Sequence, residues 1–219
     1  MLVDILYVSA AFVGSAAALE ALDVSLAGAA AVVIAVAVAT WRLRVAGTRW
    51  ADLGLRLPPS WLRAGLWALA AYILVIAANA LIVIPLARHL SWPPTDVAKL
   101  GDLAGNLPLL VRWLAVAWTT AAFGEELLFR GFLQTRLGAV LGGRTPGIVA
   151  AILVQAALFG LGHLGFGIRG AVTAAVVAVI YGTIRAVNGG NLWPLIIAHG
   201  VTDSVSLVAL YFGAAAHLA

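Results

Sequence analysis

The sequence contains no cysteine and little charge for its length. None of its 219 residues is cysteine, and Asp, Glu, Lys and Arg together make up 10%. The first absence excludes a disulfide framework. The low proportion of charged residues separates the chain from ordinary soluble domains, which are about a quarter charged. The net charge of +4 is not gathered on one face, so we expect no nucleic-acid partner.

What the sequence does have is long apolar runs, because 63% of its residues are hydrophobic. A transmembrane helix needs about 20 mostly apolar residues. The pattern predicts an all-α, polytopic membrane helix bundle of about seven transmembrane helices, with the lipid bilayer as its surroundings. The predicted spans are 3–21, 25–41, 62–87, 108–137, 147–164, 170–187 and 192–213. The fourth span is long, and we expect it to break near Gly124.

The distribution of arginine predicts the orientation. The loop 41–63 contains five arginines and one acid, Asp52. If this loop is cytoplasmic, alternation of the spans places nine of the 13 basic residues on or toward the same side. The positive-inside rule then favours a cytoplasmic N-terminus. We expect an integral protein of the cytoplasmic membrane of a prokaryote.

The stretch "FGEELLFRGFL" (123–133) places three charges inside an apolar span. Each charge at mid-bilayer costs about 2.5–3.5 kcal/mol on insertion scales. Glu126 and Arg130 are four residues apart, so they share a helix face and can pair. Glu125 is turned about 100° away from Glu126. The spacing therefore predicts a structural pair, Glu126–Arg130, and a Glu125 that faces something else.

Acid–base residues recur in two later spans. "FGLGH" (159–163) places Phe159 and His163 on one face, and "HGVTD" (199–203) does the same for His199 and Asp203. At about 1.5 Å per residue, Glu125 and His163 lie roughly 20 and 24 Å from the presumed cytoplasmic ends of their spans. The depths overlap, so we expect Glu125 and both histidines to line one cavity.

Two chemistries fit these groups. A glutamate in an apolar cavity suits a general base, and a histidine beside it can share the proton of a trapped water. The second histidine can donate a hydrogen bond to the oxyanion of an attacked carbonyl. Alternatively, Glu125, His163, His199 and Asp203 could bind zinc, although the "HExxH" signature is absent. We favour the reading without a metal or other cofactor.

The three motifs, "EELLFR", "FGLGH" and "HGVTD", resemble in order those of the CPBP family of CAAX-protease and bacteriocin-processing membrane endopeptidases. The motif region covers about 108–213. The resemblance implies an intramembrane protease acting on protein or peptide substrates at the membrane. It divides the chain into N-terminal transmembrane helices with a basic cytoplasmic linker, 1–60, and a protease core, 61–219.

The resemblance also implies residue roles. Glu125 and His163 would activate water, and His199 and Asp203 would serve the oxyanion or a metal. The supporting residues would be Glu126, Arg130 and Phe159. In the eukaryotic CAAX-processing branch the last position is typically asparagine, and Asp203 departs from this, which weakens the expectation of a prenylated substrate.

Other classes of function stay open on the sequence. The chain could be an inactive membrane scaffold or a bacteriocin-immunity protein, although the intact set of acid–base residues argues against lost activity. Intramembrane carboxylates also mark ion paths, so a transporter is a further alternative. The absence of a visible inverted repeat argues against that class.

Overall fold

The computed structural model describes residues 1–24 and 26–214, and the fold within them is a bundle of membrane-length helices. Seven helices are long and apolar enough to cross a membrane, and no strand occurs in the described part of the chain, so the predicted fold class is confirmed. The helices are α1 (Leu2–Ala21), α2 (Ala27–Val45), α3 (Trp61–His89), α4 (Leu107–Val140), α5 (Thr145–Gly162), α6 (Leu164–Val187) and α7 (Trp193–Tyr211).

Helix starts follow local sequence signals. The Ser60 side chain accepts a hydrogen bond from the backbone N–H of Arg63, and Asn106 does the same for Leu109. Such caps satisfy backbone donors that the first turn leaves without partners. The helices α4, α5 and α7 also carry proline in their first turn, where its missing N–H costs nothing.

Apolar side chains cover the outside of the bundle. Leu62 and Leu81 are each 76% exposed, whereas Glu126, Arg130 and Gln155 are 0% exposed. This is the reverse of a soluble protein, and it is stable where lipid replaces water around the helices. Together with the seven apolar helices, it indicates an integral membrane protein.

The helix α4 is continuous, so the expected break near Gly124 is wrong. Its central part, Ala117–Leu133, is a π-helix that continues the α-helix before it and the one after it. Gly124 serves packing instead, because a Cβ at this position would lie 2.7 Å from Val32 Cγ1 of α2. Glycine here lets α2 and α4 approach closely.

The basic linker between α2 and α3 is tied to the loop between α6 and α7. The Arg56 guanidinium donates to the carbonyl of Gly189 at 2.9 Å, and the Asn191 side chain donates to the carbonyl of Arg56 at 2.9 Å. Within the linker, the backbone N–H of Arg49 donates to Asp52 and holds the pKa of that carboxyl below its usual range. Both connections therefore lie at the same end of the bundle.

The opposite end is crossed by the chain between α3 and α4. The backbone N–H of Asp96 donates to the carbonyl of Phe166 at 3.0 Å, and that of Gly105 donates to the carbonyl of Tyr211. These bonds join the connection between α3 and α4 to the start of α6 and to the end of α7. They close the bundle at the end where His163 lies.

Candidate active site

The charged motif lies in the π-helical part of α4. Glu126 and Arg130 are buried completely, and Arg130 Nη1 donates to Glu126 Oε1 at 2.9 Å. This is the pair expected from their spacing. Long π-helices are rare, and π-turns occur frequently at functional sites.

Aromatic rings enclose the Arg130 guanidinium. Its central carbon lies 4.4 Å from the centroid of the Phe159 ring and 5.5 Å from that of Tyr181. A cation over an aromatic face is stabilised, and more strongly where water is excluded. Phe159, proposed as a support, therefore contacts the supporting ion pair directly.

His199 lies between two consecutive glutamates. Its Nδ1 is 2.9 Å from Glu126 Oε1, and its Nε2 is 4.0 Å from Glu125 Oε2. The same Glu126 oxygen already accepts from Arg130, and a carboxylate oxygen accepts hydrogen bonds. His199 therefore donates from Nδ1–H, which fixes the orientation of the ring and turns Nε2 toward Glu125.

Asp203 completes the cluster around the same nitrogen. Its Oδ2 lies 3.5 Å from His199 Nε2, one helical turn along α7. The Asp203 side chain is 32% exposed, and that of Glu125 is 17% exposed with its Oε2 atom buried. Both distances to Nε2 exceed the usual hydrogen-bond range, which leaves these groups able to reorient onto a substrate.

His163 directly follows α5, as its C-terminal cap. Its Nδ1 lies 2.8 Å from the carbonyl oxygen of Phe159. A carbonyl only accepts, so Nδ1 carries the hydrogen and the neutral ring keeps a lone pair on Nε2. That lone pair is the group which a water-activating histidine needs.

Phe159 connects the two histidines. Its ring centroid lies 4.5 Å from that of His163 and 6.4 Å from that of His199. The carboxylates of Glu125 and Asp203 thus face Nε2 of His199. His163 is connected to this group through the Phe159 ring, which lies between the two histidines. Among the residues that the structure describes, no ion pair joins His163 to Glu125.

Tyr181 of α6 is a neighbour of the site that the sequence did not reveal. Its ring is 0% exposed and lies 6.0 Å from the His199 ring, and its hydroxyl is 3.4 Å from Thr202 Oγ1. It is the only tyrosine in α6, so a polar aromatic inside an apolar span was the available signal. Tyr181 packs against both His199 and Arg130.

Imidazole and carboxylate groups of this kind can also ligate metal ions. Within residues 1–24 and 26–214, no group of three or more His, Asp or Glu side chains is arranged to hold a metal ion. Zinc requires ligand atoms at about 2.0–2.2 Å around one point. To bind zinc, Glu125, His199 and Asp203 would have to bring their ligand atoms closer to one another, and the His163 ring would have to move toward the same point.

A comparison with known families gives a match for the segment that holds the three motifs. The model of the Rce1-like family, described as type II CAAX prenyl endopeptidase Rce1-like, matches residues 107–205. This segment contains all three motifs, and the match confirms the resemblance to CAAX-protease-type membrane endopeptidases. Neither the curated proteins nor the solved structures give a match.

Proposed function

From the similarity of residues 107–205 to an endopeptidase family, we propose that the chain is an intramembrane endopeptidase which hydrolyses peptide bonds of membrane-associated proteins or peptides. The observation that carries this proposal is the His199 imidazole, held by Glu126 on one nitrogen and faced by Glu125 and Asp203 on the other. Glu125 is partly exposed and lies beside a histidine, whereas a glutamate with a purely structural role, such as Glu126, is fully buried in an ion pair.

The reaction starts with water. Glu125 takes one proton from a water molecule, whose other hydrogen stays bound to the oxygen and is hydrogen-bonded to Nε2 of His163. The water oxygen attacks the carbonyl carbon of the substrate. The carbonyl π bond breaks and an oxyanion forms. The protonated Glu125 then gives its proton to the leaving nitrogen. The oxyanion re-forms the carbonyl π bond as the carbon–nitrogen bond breaks, which releases an amine and a carboxylic acid.

We assign the stabilisation of the oxyanion to His199. Its Nδ1–H is committed to Glu126, so it can donate to an oxyanion only from Nε2, and for that the ring must carry two protons. The neighbouring carboxylates of Glu125, Glu126 and Asp203 balance the positive charge of such a ring. Asp203 itself only accepts when ionised, so it orients His199 and does not stabilise the oxyanion.

The membrane arrangement belongs to the same proposal. We place the N-terminus in the cytoplasm of a prokaryote and residues 61–219 in the protease core. The arginine-rich linker supports this orientation, since it shares one end of the bundle with the loop around Gly189. Residues 1–60 would be accessory helices and a linker.

The proposal is tested by proteolysis with the purified full chain in detergent. Wild type should cleave membrane-protein substrates, Glu125→Ala should not, and Glu20→Ala, an exposed glutamate in α1, should behave as wild type. Equal cleavage by wild type and Glu125→Ala would show that Glu125 is not the base. A well-folded wild type that cleaves nothing would favour a scaffold or immunity protein.

The metal-independent mechanism makes its own prediction. We expect purified protein to contain no stoichiometric zinc and to keep its activity in a strong chelator. The reason is that a zinc site needs close ligands from three helices and further partners for its histidines. Stoichiometric zinc, with activity lost in chelator and restored by zinc, would instead make Asp203 a ligand and leave the protease assignment standing.

A further inference from the structure

Arg169, near the start of α6, is buried without a counterion. The residue is only 9% exposed. Its carbonyl accepts from Thr173 Oγ1 at 2.9 Å, but its side chain has no hydrogen bond, ion pair or ring contact anywhere in residues 1–24 and 26–214. Buried charges are normally paired or hydrogen-bonded. The Arg169 guanidinium is therefore available to a ligand that carries the opposite charge.

The charged end of Arg169 is accessible from outside the protein. In the part of the chain that the structure describes, the enclosed arginine nitrogens without a partner belong to Arg130, Arg136 and Arg185, and none belongs to Arg169. Side chains on a helix are directed toward its N-terminus, so Arg169 extends over the preceding turn, Leu164–Phe166. The stem of the side chain is thus buried, and the guanidinium is open at this turn.

The same turn leads into the positive end of a helix. The α-helical part of α6 begins at Gly167, and its N-cap, Phe166, makes no side-chain cap hydrogen bond. Backbone N–H groups and the helix dipole favour a negatively charged ligand at such an end. Since the Arg169 guanidinium is directed to the same place, both features select an anion.

A second cation lies against this turn. A Cβ at Gly165 would be 2.5 Å from Lys99 Nζ, so glycine lets the lysine approach the backbone of the turn closely. Lys99 is exposed, and among the described residues its ammonium has no ion pair or hydrogen bond. The carboxylate of Asp96, whose backbone is bonded to Phe166, accepts from the N–H of Ala98 at 2.9 Å. It neutralises neither cation by an ion pair.

The depth and the surroundings of the turn fit a phospholipid. At about 1.5 Å per residue, Arg169 lies roughly 27 Å from Val187 at the other end of α6, and the hydrocarbon core of a bilayer is about 30 Å thick. The turn therefore lies near the level of the lipid phosphates. Leu164 and Ile168 beside it are 50% and 41% exposed, so they offer apolar surface to the acyl chains of the same lipid.

We propose that Arg169, Lys99 and the N-terminus of the α-helix in α6 bind the phosphate group of an anionic phospholipid. A guanidinium can donate two parallel hydrogen bonds to a phosphate, and the lysine adds a second positive charge. Two cations favour a headgroup that has no cation of its own, so phosphatidylglycerol should bind more tightly than phosphatidylcholine. The proposal does not depend on the protease activity, because the site lies outside the group of Glu125, His199 and Asp203.

The test measures the binding of phosphatidylglycerol and phosphatidylcholine to the purified full chain in detergent by native mass spectrometry. Wild type should prefer phosphatidylglycerol. Arg169→Gln should weaken the binding of this lipid about tenfold or more, the size of effect that a lost hydrogen bond to a charged group gives. Arg169→Lys should lie between the two. Lys99→Gln should weaken binding less, because an exposed ion pair contributes less than a buried one.

The control is Arg88→Gln, which removes an exposed arginine at the same end of the bundle and should leave binding unchanged. Lys99 is exposed, so Lys99→Gln keeps the inference testable even if Arg169→Gln does not fold. Inorganic phosphate at the same concentration as the lipid should not displace it, because the free anion lacks the acyl chains that contact Leu164 and Ile168.

Three outcomes would overturn the inference. The first is lipid binding that the Arg169 and Lys99 variants weaken no more than Arg88→Gln does. The second is equal binding of the two lipids, which would mean that the cations do not select an anionic headgroup. The third is displacement of the lipid by an equal concentration of inorganic phosphate, which would make this a site for the free anion.

Discussion

Glu125→Gln is expected to reduce cleavage by roughly 10²–10⁴-fold, the usual contribution of a positioned general base. Glutamine keeps the shape of the side chain but cannot take a proton from water. Glu125 is partly exposed and its shortest ion-pair distance, to His199 Nε2, is 4.0 Å, so the fold should hardly depend on its charge. The measurements are the rate of peptide cleavage and the midpoint of thermal unfolding.

The matched control is Glu20→Gln, which makes the same chemical change on an exposed glutamate of α1. It should leave both rate and unfolding unchanged. A Glu125→Gln protein that cleaves within a few-fold of wild type would remove Glu125 from the reaction. In that case the base would have to be sought among the other acid–base groups of the cluster.

Arg130→Ala is expected to destabilise the fold most. It leaves the Glu126 carboxyl fully buried and without the guanidinium that lies 2.9 Å away. Removing one partner of a buried pair typically costs about 3–5 kcal/mol. We expect less folded protein in the membrane and a lower midpoint of thermal unfolding in detergent.

Two variants set the scale for this measurement. Arg88→Ala removes an exposed arginine at the end of α3 and should change little. Arg130→Lys keeps the positive charge but loses the planar group between Phe159 and Tyr181, so an intermediate loss is expected. If Arg130→Ala unfolds like wild type while Glu125→Gln does not fold, the structural and chemical roles have been assigned the wrong way round.

The fold could be predicted from the sequence because membrane helices leave a strong signal. About 20 apolar residues in a row have few alternatives in a bilayer, and the bounds of α1 and α7 lie close to their predicted spans. The Glu126–Arg130 pair was equally accessible, since four residues bring two side chains to one face in any near-α geometry. Such local rules need no knowledge of neighbouring helices.

The contacts between helices could not be predicted. The bond from His199 to Glu126 depends on the rotation of α7 against α4, about which spacing along one chain says nothing. The long fourth span was predicted to break near Gly124, whereas this glycine makes room for Val32 of α2. The catalytic roles of Glu125 and His163 stay predictions until cleavage is measured.

The π-helical geometry of Ala117–Leu133 links the assembly of the site to the order in which the helices insert into the membrane. A π-helix of 17 residues is rare on its own, so this register depends on the helices packed around it. Before α7 has inserted, the segment lacks one of those neighbours, and we expect it to relax toward an ordinary α-helix. Because α7 carries His199, the arrangement of the two glutamates and this histidine would form only in the completed bundle.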